Sequence, residues 1–448
     1  MSHTSTCVAD EETVPQIRPF RALRFDPSVV GDLEDVVAPP YDVIDEQHRS
    51  ELIARHRANV VRLDLPAEEA GDEPDARYRR AARTLAEWRS DGTFRKDPHP
   101  SIYVYEQTYC VPGTAIERTQ RGFFARLRLE SFEPGSTVLP HERTMSGPKE
   151  DRYKLLRATG VNTSPVVALY EDAAGRSGSL LEELTRPAPT VDVSDDDGTH
   201  HRLWPAPADG AEPDPAVAAL LAAAGRGPVT IADGHHRYET ALRYRDERRM
   251  TRSCDEDPAF DYLLVLLLEA GEPLTVLPTH RLVRDRGDGG AAIIAGLERL
   301  FDVRSASPEE LAPFGTEPDA GGRGRFGLWT QHGGFVLTAR RAAFDPFLPP
   351  GGEAVRRLDV TLLAVALEQL AGIDAAAAVG GAIGYTKSTR DALDAVERGD
   401  RYDAAFLLEP TPVPEILAVA ADGDVMPQKS TYFYPKALTG LVINPHEW

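Results

Sequence analysis

Four stretches of this chain gather side chains able to do chemistry. The first is IADGHHRYETALRYRDER, residues 231–248. Its apolar lead-in reads as a strand, Asp233-Gly234 as a turn and the remainder as a helix. That order aims the helix's first amides and positive dipole end at whatever lies above the strand, which suits an anion. Gly234 permits close backbone approach or positive φ. His235, His236 and Arg237 add donors at the same end, and Asp233 could hold a magnesium ion bridging phosphate oxygens. Two other readings stay open. Asp233 could be only an N-cap, or the histidines could bind a metal, although adjacent helical positions diverge by about 100° and lack the i,i+4 spacing of metal motifs.

The second stretch is LPHERTMSGPKEDRYKLL, residues 139–156. His141 and Glu142 precede a helix start, and Lys149 and Arg152 are i,i+3 neighbours on one face. A carboxylate beside a histidine and near cations fits a general base with phosphate clamps; a capped surface helix with ordinary charge pairing fits as well. In the third, VVAPPYDVID (36–45), Pro39-Pro40 forces extended backbone and presents Tyr41 and Asp42 to a substrate, or makes a stiff bend. The fourth, MPQKSTYFYPKALTG (426–440), carries Lys429, Lys436 and three aromatics on a loop that either clasps the fold or closes on a ligand. Walker, dinucleotide-fold and nucleophile-elbow motifs are absent from the sequence.

The elements expected to position these residues are mixed. Strands are expected at Ile17–Phe25, Asp35–Ala38, Val60–Leu65, Ser101–Tyr109, Gly122–Glu130, Val166–Tyr170, Val229–Ala232, Tyr262–Leu268 and Leu274–Val283. Helices are expected from Asp45 as N-cap, over 75–90, 149–159 and 235–249. Residues 171–215 read as an exposed connection with a hairpin. Further on, helices at 359–370 and 388–398 alternate with strands at 382–385 and 404–408. A short helix follows Pro412, and a last strand falls at Leu441–Ile443. The fold class is α+β (mixed α/β). Residues 1–15 read as a disordered leader, and a soft boundary near 286 divides 16–285 from a C-terminal α/β part, 286–448.

Composition limits the partners. The 448 residues carry 50 Lys+Arg against 71 Asp+Glu, a net charge of −21, which disfavours wrapping a duplex without excluding a local cationic pocket. Apolar runs fall well short of the ~20 residues that span a bilayer, and the N-terminus lacks an export pattern. Three scattered cysteines without metal spacing fit a reduced, cytoplasmic protein. Lysine is scarce: only Lys96, Lys149, Lys154, Lys387, Lys429 and Lys436. Arg serves elsewhere, so each lysine is informative.

Taken together and in order, APPYDVI (38–44), PHERT with GPKEDR (140–152), ADGHHRYETA (232–241) and PQKSTYFYPK (427–436) resemble the bacterial and archaeal domain-of-unknown-function family 1015 over nearly the whole chain. Its members are often labelled as relatives of ParB partitioning proteins. The ADGHHR turn is also similar to that of archaeal free-serine kinases of the ParB/sulfiredoxin-like superfamily. The resemblance implies a ParB/sulfiredoxin-like nucleotide-binding core, with Asp233, Gly234, His235, His236 and Arg237 as the phosphate-binding turn. It points to a nucleotide-dependent phosphotransferase, serine-kinase-like, using ATP or ADP with Mg²⁺. In that scheme Glu142 activates the acceptor, Lys149, Arg152 and Lys429 bind phosphate, and Tyr41 and Asp42 orient the substrate. A homodimer is compatible with this picture. The alternative is a ParB-like nucleotide switch or NTP hydrolase without a small-molecule acceptor. Sulfiredoxin repair chemistry needs a cysteine where His235 and His236 stand, and no helix-turn-helix accompanies the turn.

Overall fold

The structure is a computed structural model describing residues 14–142, 147–209, 214–251, 256–284, 287–315, 323–399 and 401–448. Most of the expected leader, Arg143 and Thr144 of the PHERT stretch, and parts of the glycine-rich patches near 286 and 320 lie outside the described residues.

Two sheets organise the chain. The larger has nine strands in the order Val138–Leu139, Val229–Asp233, Val166–Tyr170, Tyr262–Glu269, Glu117–Arg128, Ser101–Cys110, His200–Pro207, Val191–Ser194, with Ile17–Arg18 also on Glu117–Arg128. It is mixed: Tyr262–Glu269 runs parallel to Val166–Tyr170 but antiparallel to Glu117–Arg128. Tyr262–Glu269 is buried except at its last residue, as its unbroken apolar run requires of a central strand covered on both faces. Helices Gly147–Thr159 and His235–Thr251 pack against each other beside it.

The smaller sheet has six antiparallel strands, ordered Phe301–Ala306, Gly333–Ala339, Arg325–Thr330, Tyr402–Leu407, His280–Arg284, Ile383–Thr386. One buried cluster joins the two sheets, running from Tyr105, Phe124 and Leu266 to Phe326, Leu362 and Phe406. The chain end returns to the larger sheet's side: Tyr432–Tyr434 pairs with Thr275–Leu277, and Asn444–Pro445 with Val161–Asn162. Arg126, buried, fastens it by donating to Asn444 Oδ1 and to the carbonyls of Pro445 and Glu447.

Several expectations are corrected. Val60–Leu65 is not a strand; a short helix spans Val61–Asp64. Asn59 is the cause: its amide donates to Asp35 O and Val37 O while its Oδ1 accepts from Val61 N, and this local competitor overrides the alternating pattern. Asp35–Ala38 contributes only the bridge Ala38↔Thr439. The Ile17–Phe25 run breaks into Ile17–Arg18 and Leu23–Phe25. The 171–215 connection holds the hairpin but also a helix, Ser177–Leu184, and Val191, Val193 and Leu203 are core residues. At the end of the chain, Ile443 makes a single bridge to Leu23 and the short strand is Asn444–Pro445.

No single helix among the described residues is long and apolar enough to cross a membrane. One bent pair, Asp359–Ala371 with Ala375–Ala382, passes by length and composition but bends by 96°, and the first of the two is packed into the shared core.

Candidate functional site

The turn at 233–235 forms as the sequence implies. Strand Val229–Asp233 carries a bulge between Ile231 and Asp233, Gly234 takes φ +88°, and the helix begins at His235. Tyr238 N–H donates the first intrahelical bond, to Gly234 O at 3.0 Å, so the preceding amides face out of the helix start. Gly234 is required twice. Its φ is left-handed, and a Cβ there would lie 2.9 Å from Arg237 Nε. The close approach that the glycine permits is thus made by Arg237 itself.

A cleft of about 680 Å³ opens over this turn, within the range of small-molecule sites. It collects Tyr41, Asp42, Glu142, Asp233, Gly234, His235, His236, Arg237 and Lys429, nine of the eleven residues singled out from sequence. Tyr41 and Asp42 sit in a single helical turn after Pro40, whose φ −65° and ψ 150° supply the extended entry.

Lys149 and Arg152 are elsewhere. Lys149 forms an ion pair with Glu239 between the two packed helices. Arg152 is 6% exposed; its guanidinium donates to Asp64 O (2.6 Å) and to Asp151, and lies 4.1 Å over the Tyr41 ring. It therefore touches the cleft only by holding Tyr41 from behind. It also borders a small inner cavity of about 40 Å³ with Asp64, Asn162, Thr163 and Arg237.

Asp233 is the electrostatic centre. Its Oδ1 accepts from Lys436 Nζ at 2.7 Å and its Oδ2 from Arg237 Nη2 at 2.8 Å. Burial pushes this carboxyl up, but Lys436 and Arg237 overcome it and hold the group well below the usual carboxylate range. Both oxygens are thus engaged by cations. Among the described residues no group of three or more His, Cys, Asp or Glu is gathered to hold a metal ion. The donor set does not fit a magnesium ion held by Asp233.

His141 sits beneath the turn. Its Nδ1–H donates to Ile231 O, Nε2 accepts from the Thr431 hydroxyl at 2.9 Å, and its backbone N–H donates to His235 Nε2 at 3.4 Å. Those partners fit a neutral ring, and burial lowers its pKa to about 4 against the opposing Ile231 carbonyl and Asp233. His235 is likewise driven well below the ordinary histidine value, by burial and then by His141.

Glu142 accepts from two backbone amides of the terminal loop, Lys429 N–H to Oε1 (2.9 Å) and Ser430 N–H to Oε2 (3.1 Å). Lys429 takes φ +59° there, unusual for a side chain with Cβ. Arg281 supports the same loop by donating to Lys429 O at 3.0 Å. Burial raises the Glu142 pKa, and the two amides and the charges of Lys429 and Arg281 only partly oppose it. A carboxyl shifted toward neutrality in a cleft is suited to accept a proton.

The smaller sheet supplies the far wall. Tyr385 and Thr386 end strand Ile383–Thr386, Lys387 follows it toward helix Thr389–Glu397, and Asp391 lies on that helix's first turn. Sequence reasoning named none of these four as site residues, and it left Lys436 and Tyr432 on a loop that either clasps the fold or closes on a ligand, without assigning them to the site. Two signals pointed to them: the scarcity of lysine, and a second strand–turn–helix in IGYTKSTR (383–390).

The expected cationic pocket is formally balanced, four cations (Arg237, Lys387, Lys429, Lys436) facing four carboxylates (Asp42, Glu142, Asp233, Asp391). In a chain of charge −21 this makes the cleft less acidic than the chain as a whole.

A mixed α/β protein with a polar cleft between two sheets is the class these features define. The chain belongs to the family described as "Protein of unknown function (DUF1015)", which it matches over residues 17–361. No curated protein matches. Among solved structures, it is similar to a free serine kinase in complex with AMP (12% identity, TM-score 0.35, 70% of this chain and 86% of that one). A conserved hypothetical protein from Pyrococcus furiosus (13%, 0.32, 70% and 90%) and C-terminally truncated SbnI from Staphylococcus aureus (11%, 0.34, 68% and 83%) are similar at the same level. At TM-scores below 0.5 these likenesses carry no weight for function.

Proposed function

We propose that this protein is a nucleotide-dependent phosphotransferase acting on the hydroxyl of a small metabolite, with serine or a related amino acid as the first acceptor to test. In this reading residues 16–285 form a ParB/sulfiredoxin-like catalytic region, and 286–448 add the second wall and the clasp loop. The observation that carries it is the convergence of a helix-start turn, cleft-facing lysines and a proton-accepting Glu142 on one cavity of nucleotide-compatible size. Phosphoryl transfer asks mainly for positioning and charge neutralisation, with one base for the acceptor.

The chain's residues divide that work. The amides opening the 235–251 helix and Lys429 receive phosphate oxygens of ATP or ADP. Asp233 orients Lys436 and Arg237 rather than touching the ligand. Tyr41 and Asp42 border the acceptor. The acceptor oxygen bonds to the terminal phosphorus as the bond to the nucleotide's bridging oxygen breaks, and its proton passes to a Glu142 carboxylate oxygen. The products are a phosphomonoester and a nucleotide shorter by one phosphoryl group.

Phosphorus NMR tests this directly, following ATP or ADP in magnesium-containing buffer with full-length protein, with and without serine or a panel of small alcohols. A new phosphomonoester signal that depends on Glu142 supports the reading. Nucleotide consumed with release of inorganic phosphate alone would move the assignment to a hydrolase or switch. Nucleotide that is neither bound nor consumed overturns both.

A further inference from the structure

Three of the six lysines face the cleft, and they are not equivalent. Lys436 is committed to Asp233. Lys387 and Lys429 have no carboxylate ion-pair partner among the described residues. The Lys387 ammonium lies 3.7 Å from the Tyr432 ring centroid, and the Lys436 ammonium lies 4.2 Å from the same centroid. Two like charges thus share one aromatic ring. The ring attracts a cation through its quadrupole but carries no net charge, so it does not neutralise them.

The cost registers at Lys387. Its pKa is lowered, first by burial and then by the charges of Lys436 and Lys429, with Asp42 opposing. Two ammonium groups aimed into a cleft without a carboxylate paired to either among the described residues, in a chain that otherwise places arginine at its surface, call for an anion with several oxygens between them. The two lysines also come from different parts of the fold. Lys387 follows a strand of the smaller sheet, whereas Lys429 lies on the loop held by Glu142 and Arg281.

We propose that Lys387 and Lys429 form an oxyanion subsite for a phosphoryl group, with Lys387 delivered by the smaller sheet to complete a site otherwise built by the larger one. The proposal deepens the phosphotransferase reading and rests on it for the ligand class. The phosphoryl group has two sources, the terminal phosphate of a nucleoside di- or triphosphate or the phosphate of a phosphorylated acceptor. Binding either one would tie the two sheets together across the cleft.

Isothermal titration of the full-length protein and its Lys387→Met variant with ADP, pyrophosphate, glycerol 3-phosphate and adenosine tests it. The expected result is an at least tenfold weaker affinity for one or more phosphate-bearing probes, unchanged adenosine binding and an unchanged melting temperature without ligand. Lys387→Arg should recover part of the loss. Loss confined to ADP and pyrophosphate assigns the subsite to the donor; loss confined to glycerol 3-phosphate assigns it to the acceptor side. Affinities equal within twofold for every phosphate probe overturn the proposal, as does a wild-type protein that binds none of them. The two readings separate cleanly. Lys387-dependent pyrophosphate binding without ADP binding keeps the subsite and removes the nucleotide, whereas ADP binding indifferent to Lys387 does the reverse.

Discussion

Lys436, 203 residues beyond Asp233 in sequence, sets its ammonium 2.7 Å from Asp233 Oδ1. With Arg237 on Oδ2, this makes Asp233 the anchor of two cations, one from its own turn and one from the terminal loop. Asp233→Asn should therefore destabilise as well as inactivate. Removing the charged partner from a largely buried pair costs on the order of 2–4 kcal/mol, toward the lower end because the site is only partly shielded. Thermal melts should show a drop of several degrees, and transfer should be absent even well below the new midpoint. A variant with wild-type melting and wild-type transfer sinks the anchor role.

Arg152 and Lys149 provide a paired contrast. Arg152→Met breaks buried bonds to Asp64 and Asp151 and removes the cation under Tyr41, so a loss of about 3 kcal/mol or more is expected. Lys149→Met removes a half-exposed pair with Glu239, worth about 1 kcal/mol or less. Neither should change ADP affinity more than about twofold at 10 °C. A tenfold loss in either would return that residue to the ligand.

Glu142→Gln separates base from clasp. As a base, its loss should cut transfer about 10²-fold or more while ADP still binds. As a clasp, the substitution places an amide N–H₂ against Lys429 or Ser430 N–H, and hydrogen exchange at those two amides should accelerate. Faster exchange with full transfer would show that Glu142 only holds the loop.

Stability should fall in mild acid. His141 has its pKa lowered to about 4, and His280 and His446 to about 3, each chiefly by burial. A depressed histidine takes up its proton in the unfolded chain first. Its contribution is therefore complete above about pH 6.5 and is lost progressively as pH falls toward these folded values. Each group steepens the loss by up to about 1.4 kcal/mol per pH unit. Melting temperatures measured from pH 7 to 5, above the range where most carboxylates protonate, should decline steadily; a flat profile contradicts the buried neutral rings.

The sequence by itself determined what depends on near neighbours in the chain. Asp233-Gly234 after an apolar run dictated a strand, a left-handed turn and a helix start, and Gly234 met both requirements glycine uniquely satisfies. Asp45 capped its helix by accepting from His48 N. The Pro39-Pro40 pair delivered Tyr41 and Asp42 to the cleft. Local rules failed where a side chain reached sideways, as when Asn59 turned an alternating apolar run into a helical turn.

Only the tertiary structure decided which cations meet which anions. Lys149 and Arg152 have the composition of phosphate clamps, yet helix packing gives Lys149 to Glu239 and Arg152 to Asp64, Asp151 and Tyr41. Nothing local to Lys387 or Lys436 named its partner, and the smaller sheet and the returning terminal loop brought them to one ring. The physical reason is range. Turns and caps are fixed by bonds a few residues long, whereas a charge's partner is fixed by which surfaces the shared core presses together, and that core joins residues more than 300 positions apart.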